Sequence, residues 1–266
     1  MRLAGALLLL ALPCLAGAHG DLHLQIENVT AQIAQAPKNA GLYLHRADLR
    51  RDHEEWAAAL EDYRHALQLD GGLVDAKLGQ AQLYLAWAKP ALSLEPIAAF
   101  LKSRPGDALG LSVKANALEA LGRHGEASLA FALSLKARPD IEVYMEELQS
   151  LRRAGRSGDA LQVVKQGIVQ LGPLPVLEAQ GVDLERSLGR FDAALQRNQG
   201  MLMGPGRKDA LLEIRGDILM QAGRQMEARA AWRQALAEMD KLSDARRRVQ
   251  AAMDLEARLK RKLGRS

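Results

Sequence analysis

The chain has 266 residues, 48% hydrophobic and 26% charged, with 23 Gly, 9 Pro and a net charge of +4. These values exclude a disordered, collagenous or low-complexity polymer, and the single cysteine, Cys14, excludes an internal disulfide, a thiolate metal cage and a thiol enzyme. Aromatics make up 4% and Thr30 is the sole threonine, whereas Ala, Leu, Arg, Glu and Gln abound, so the residues favour helix over sheet.

The first element is a targeting segment, Met1 to Ala18. One cation, Arg2, precedes an apolar run from Leu3 to Leu12, then Pro13 and the small-residue ending Ala16-Gly17-Ala18, which is the pattern of a cleavable secretory signal. The run is about half of the roughly 20 residues that span a bilayer, and no later segment is long and apolar enough to do so. Cleavage is expected after Ala18, giving a periplasmic or secreted protein with no transmembrane segment. Pro13 directly before Cys14 argues against lipid attachment there. Losing Arg2 leaves 35 Lys+Arg against 32 Asp+Glu, a mature charge of +3.

Residues 19–37 form the second element, an expected N-terminal capping helix. Its start, His19-Gly20-Asp21-Leu22-His23, offers a free α-amine, the His19 imidazole and the His23 imidazole. Nitrogen donors of this kind suit copper, so metal handling is an alternative function, set against a frayed unliganded tail. The sequence asks for no cofactor and no metal otherwise. Asp52-His53-Glu54-Glu55 falls where a turn is expected, and its acidic residues suit the positive end of the following helix.

From 38 to 240 the chain repeats. Turn residues recur at Pro37, Gly71, Pro105, Pro139, Pro173, Gly206 and Asp240, 33 or 34 residues apart. Between them lies a comb of Leu121-Gly122-Arg123, Ala154-Gly155-Arg156, Leu188-Gly189-Arg190 and Ala222-Gly223-Arg224. Each glycine is followed five residues later by Ala127, Ala160, Ala194 or Ala228. Glycine just past a helix end closes the last turn in the left-handed conformation, and an alanine one turn into the next helix lets two helices cross closely. Four residues on comes a larger side chain: Tyr63 after Ala59, Phe131 after Ala127, Val164 after Ala160, Trp232 after Ala228. Proline then stops the second helix.

This unit, with Tyr43 or Tyr144 early in its first helix and Ala47, Ala81, Ala115 or Gly216 in its middle, resembles the tetratricopeptide repeat. The resemblance implies an all-α fold: a right-handed α-solenoid of about six helix pairs at 38–71, 74–105, 108–139, 141–172, 174–206 and 209–240, with capping helices at both ends. Two repeats depart from the pattern. The second has Ala88-Lys89-Pro90 in place of the glycine turn and a further proline at Pro96, so its helices are expected to be bent or shortened. In the fifth, Gly181 and Gly189 are one residue too far apart, and Asn198 stands where an apolar knob is expected.

The resemblance also implies that the first helix of each repeat lines a concave groove holding a peptide or a partner protein. The lining candidates are His45, Asp48, Arg51, Gln82, Asn116, Glu119, Glu146, Gln149, Arg152, Glu178, Glu213 and Asp217, whose later members are mostly acidic and suit a basic or amide-rich partner. A carboxylate clamp is not expected, since only Asn116 fits its Lys, Asn and Arg pattern.

The last element, 241–266, holds nine Lys+Arg against three acids. Ser243 to about Leu263 is expected to be one long capping helix with a solvated basic face. Without stacking aromatics it gives no nucleic-acid reading. Gly204-Pro205-Gly206-Arg207-Lys208 lacks the glycine spacing and the Ser/Thr of a phosphate loop, and no Gly-x-Ser-x-Gly elbow occurs. The expectation is a non-enzymatic scaffold in the cell envelope whose partner is an unknown protein or peptide.

Overall fold

A computed structural model describes residues 16–264 of the chain, with side chains from Asp21 onward. The expected signal, apart from Ala16–Ala18, lies outside the described residues, as does the side chain of His19. All described secondary structure is helical. Helix α1, Ala16–Gln35, is followed by α2 (Ala40–Asp52) and α3 (Trp56–Leu69), α4 (Val74–Ala86) and α5 (Pro90–Ser103), and α6 (Ala108–Ala120) and α7 (His124–Ala137). Then come α8 (Ile141–Arg153) and α9 (Ser157–Leu171), α10 (Pro175–Ser187) and α11 (Phe191–Met203), α12 (Asp209–Gln221) and α13 (Gln225–Asp240), α14 (Asp244–Arg247) and α15 (Gln250–Gly264). These are six helix pairs with a capping helix at each end. The chain divides into two compact units between Ala137 and Arg138.

Local chemistry sets the helix boundaries. After the inter-repeat turns, Asn39, Asp107 and Asp140 each accept a hydrogen bond from a backbone N–H of the helix that follows. Within the pairs, Gly122, Gly155, Gly189 and Gly223 sit at φ of 72, 71, 69 and 78°, the left-handed conformation that ends the first helix. The same place in the first two pairs is held by Glu54 and Ala88, at φ 63 and 55°, where a Cβ makes the conformation costly. Ala88 thus makes the glycine-type turn, and α4 and α5 are full-length helices of 13 and 14 residues rather than shortened ones. Pro96 is inside α5 and buried, and Pro90 opens that helix, where its missing N–H has no partner to lose.

Each unit buries its own core. In the first, Ile26, Val29 and Ile33 of α1 pack on Leu49, and Tyr63 is enclosed by Ala47, Ala59, Ala76 and Leu83. In the second, Trp232 packs with Leu212, Ala228 and Ala235, and α15 adds Ala252, Leu255 and Leu259. The small residues in mid-helix have a measurable purpose: a Cβ on Gly216 would overlap the Trp232 indole.

Two boundaries differ from expectation. Asp240 is the last residue of α13 rather than a turn. The C-terminal cap is not one helix from Ser243 but a single turn, α14, broken at Arg248-Val249 before α15, so that α15 can aim its apolar stripe at α13. No described helix is long and apolar enough to cross a membrane.

Candidate functional site

In the first unit the first helices α2, α4 and α6 lie in sequence against one another. Their shared face carries a polar network. The Tyr63 hydroxyl, on a ring that is fully buried, donates to Asp48 at 2.6 Å, and Arg51 Nη1 reaches Asp48 at 3.0 Å, Tyr63 at 3.1 Å and Gln82 at 3.1 Å. Burial, and then the bond to Asp48, push the Tyr63 phenol well above its usual range, so it stays a donor. The last of these bonds ties α2 to α4. Three groove candidates, Asp48, Arg51 and Gln82, are therefore brought together in one fixed arrangement. His45 is exposed beside them on α2. On α6, Asn116 is half-buried and Glu119 contacts His124 Nδ1 at 3.0 Å.

Behind this face, Asp62 is buried and held by Arg46 Nε and Nη2, both at 2.8 Å, and by Arg50 Nη1 at 2.7 Å. The run 52–55 makes the turn expected of it: His53 caps α2, Glu54 takes the left-handed position and Glu55 precedes α3. Among the described residues no three His, Cys, Asp or Glu side chains are placed to hold a metal ion. The one described member of the copper set, His23, contacts Glu27 at 3.2 Å.

In the second unit, Gln149 and Arg152 of α8 are exposed, and Glu146 is half-buried. Burial raises the Glu146 carboxyl, and the negative charges of Glu142 and Asp140 raise it further. Glu147, its neighbour, is only 5% exposed, and desolvation pushes its carboxyl up to about 7. The remaining acidic candidates are neutralised from within. Glu178 accepts from Arg197 Nη1 at 2.6 Å. Glu213 accepts from Arg258 Nε and Nη2, both at 3.0 Å, and from Lys262 Nζ at 2.9 Å. Asp217 accepts from Lys262 at 2.7 and 2.8 Å, and from the Trp232 Nε1–H at 3.1 Å. Burial pushes Glu213 up, but the bonds from Arg258 and Lys262 outweigh it and hold the carboxyl below its usual range. The ammonium of Lys262 also lies 5.7 Å from the Trp232 ring centroid. The basic cap is thus partly a counter-charge to α12 and not a purely solvated face.

Several residues of these arrangements were not singled out in the sequence. Arg186, the twelfth residue of α10 as Arg51 is of α2, donates from Nε to Gln221 of α12 at 3.0 Å, repeating the tie between successive first helices. Arg197 and Glu185 form a two-bond pair at 2.9 and 3.0 Å. This pair occupies the same places in α10 and α11 as Arg50 and Asp62 in α2 and α3, with the charges exchanged. Shared place in the repeat is the signal that would have found them. The departure noted in the fifth repeat has the same origin: Gly181 makes room for the Arg197 side chain, and the buried Asn198 donates to the Leu211 carbonyl at 3.0 Å.

Residues 182–257 match the family model of the tetratricopeptide repeat-like domain. No curated protein matches the sequence significantly. Among solved structures, a tetratricopeptide repeat protein from Parabacteroides merdae ATCC 43184 is 17% identical with a TM-score of 0.52, covering 93% of this chain and 94% of its own. PilW, a type IV pilus biogenesis factor, is 20% identical with a TM-score of 0.55, covering 70% of this chain and 87% of its own. PilF of Pseudomonas aeruginosa is 15% identical with a TM-score of 0.51, covering 84% and 98%. The likeness to these structures is one of fold. Residues 182–257 thus match the tetratricopeptide repeat-like family, and across its helix pairs the chain has the tetratricopeptide-repeat fold.

Proposed function

We propose that the protein is a non-enzymatic scaffold of the cell envelope that binds an extended segment of a partner protein along the first-helix faces. The observation that carries this is the network of Asp48, Arg51 and Gln82 anchored by buried Tyr63. Polar side chains held in place before a partner arrives lose little conformational entropy on binding. His45 and Asn116 stand on the same helices with polar groups available to an incoming backbone. The envelope part of the proposal rests on the sequence of Met1 to Ala18.

The test is site-specific photo-crosslinking in cells, with the photoreactive residue at His45 or Asn116 and, as a control, at Gln68, which is exposed on the second helix α3. One partner protein recovered from the first two positions and not from the third is the expected result. Equal recovery from all three would sink the groove reading. Mass spectrometry of the recovered protein also reports its first residue, and a chain that retains Met1 would remove the envelope assignment.

A further inference from the structure

A cleft of about 830 Å³ opens between α10, α11 and the turn that leads into α12. That volume falls within the range of sites that enclose a ligand. Its walls are largely apolar, built from Pro173, Pro175, Pro205, Met201 and Leu211. Its polar part is the Glu178–Arg197–Glu185 triad, with Arg207 nearby.

The charges in this cleft do not balance. Arg197 is shared by two carboxylates, with Nε and Nη2 on Glu185 and Nη1 on Glu178. Arg207 is committed to Asp209, which is only 2% exposed. Counted with Asp209, which does not itself line the cleft, three carboxylates share these two guanidiniums, a surplus of one negative charge. The other ion clusters are compensated. Asp62 takes two arginines, and Glu213 with Asp217 takes Arg258 and Lys262. Glu178 engages only Oε2; its other oxygen has no hydrogen-bond partner among the described residues. A partly buried carboxylate between apolar walls carries a desolvation cost that an added cation offsets.

We infer that this cleft recognises a lysine side chain flanked by apolar residues on a partner segment. A single open oxygen suits the point charge of an ammonium, whereas a guanidinium asks for two acceptors in a plane. The lysine stem would lie along the proline and methionine walls while its head reaches Glu178. Glu178 stands on the first helix α10, but in the second compact unit, so this site is tested independently of the Asp48–Arg51–Gln82 network in the first.

The experiment is calorimetric titration of the full chain with two blocked peptides, acetyl-Leu-Lys-Leu-amide and acetyl-Leu-Glu-Leu-amide. The lysine peptide should bind at least about tenfold tighter than the glutamate peptide, and Glu178→Gln should remove that preference. Gly200→Leu supplies an independent arm. Gly200 lines the cleft from inside α11 and a Cβ there meets no atom within 4 Å, so the leucine enters empty space and melting should not fall while lysine-peptide binding is lost. Equal binding of the two peptides, binding that survives Gly200→Leu, or capture of n-butylamine without the lysine peptide would each overturn the inference.

Discussion

Glu147→Gln should stabilise the protein at alkaline pH and do little in acid. Glu147 is 5% exposed on α8, and burial alone raises its carboxyl from 4.5 to about 7. The folded state therefore holds a proton that the unfolded state releases between those values, so stability contributed by the neutral carboxyl is present at low pH and declines as pH rises through 7. The displaced carboxyl costs roughly 3 kcal/mol at pH 8.5, where it is ionised, and roughly 1 kcal/mol at pH 5, where the folded state still holds the proton, because one pH unit of displacement is worth about 1.4 kcal/mol. Glutamine keeps the shape and never ionises. Urea unfolding of both proteins, followed by helical circular dichroism at pH 5 and pH 8.5, isolates this residue, since every other titrating group is common to the pair. The difference between variant and parent should grow by about 2 kcal/mol from acid to alkaline pH. A difference that stays constant with pH would refute the reasoning, because a packing or hydrogen-bond effect has no reason to follow the proton.

Other expectations follow from the turns and the cap. Ala88→Gly and Glu54→Gly should each raise stability by about 1 kcal/mol, since both positions have positive φ, and Gly122→Ala should lower it by a similar amount; thermal melts of the three would show this. Gly216→Ala should cost about 1–3 kcal/mol by overpacking, because its new methyl overlaps Trp232, with a matching change in tryptophan fluorescence. Arg258→Ala combined with Lys262→Ala leaves Glu213 and Asp217 without cations; an expected loss of about 1–3 kcal/mol should appear as faster amide exchange in α12 and α15, with α2 to α5 unchanged.

How much was legible beforehand depended on how local each cause is. Gly122, Gly155, Gly189 and Gly223 announced the turns inside the pairs because the left-handed conformation is a property of one residue and its neighbours. Tyr63, Phe131, Val164 and Trp232 announced the buried knobs, and all four are buried, because helical spacing alone decides which residues share a face. Glu54 and Ala88 were not recognised as left-handed, since neither residue type favours that conformation and only the packing of the two helices they join imposes it. The acidic candidates Glu178, Glu213 and Asp217 were legible as a charged face, yet their partners were not. Sequence spacing names the face a carboxylate occupies without naming the side chain that crosses from another helix.

By itself, the sequence determined the repeat length, the number of helix pairs and the buried knobs at Tyr63, Phe131, Val164 and Trp232, because these follow from chain-local geometry repeated every 33 or 34 residues. Only the tertiary structure decided where the charges end. Lys262 meets Asp217 across 45 residues, Arg197 fills the space left by Gly181, and Glu178, bonded through one oxygen to Arg197, lines a largely apolar cleft. Those outcomes depend on how neighbouring helices approach and on how much water their packing removes, and neither is written in any one stretch of residues.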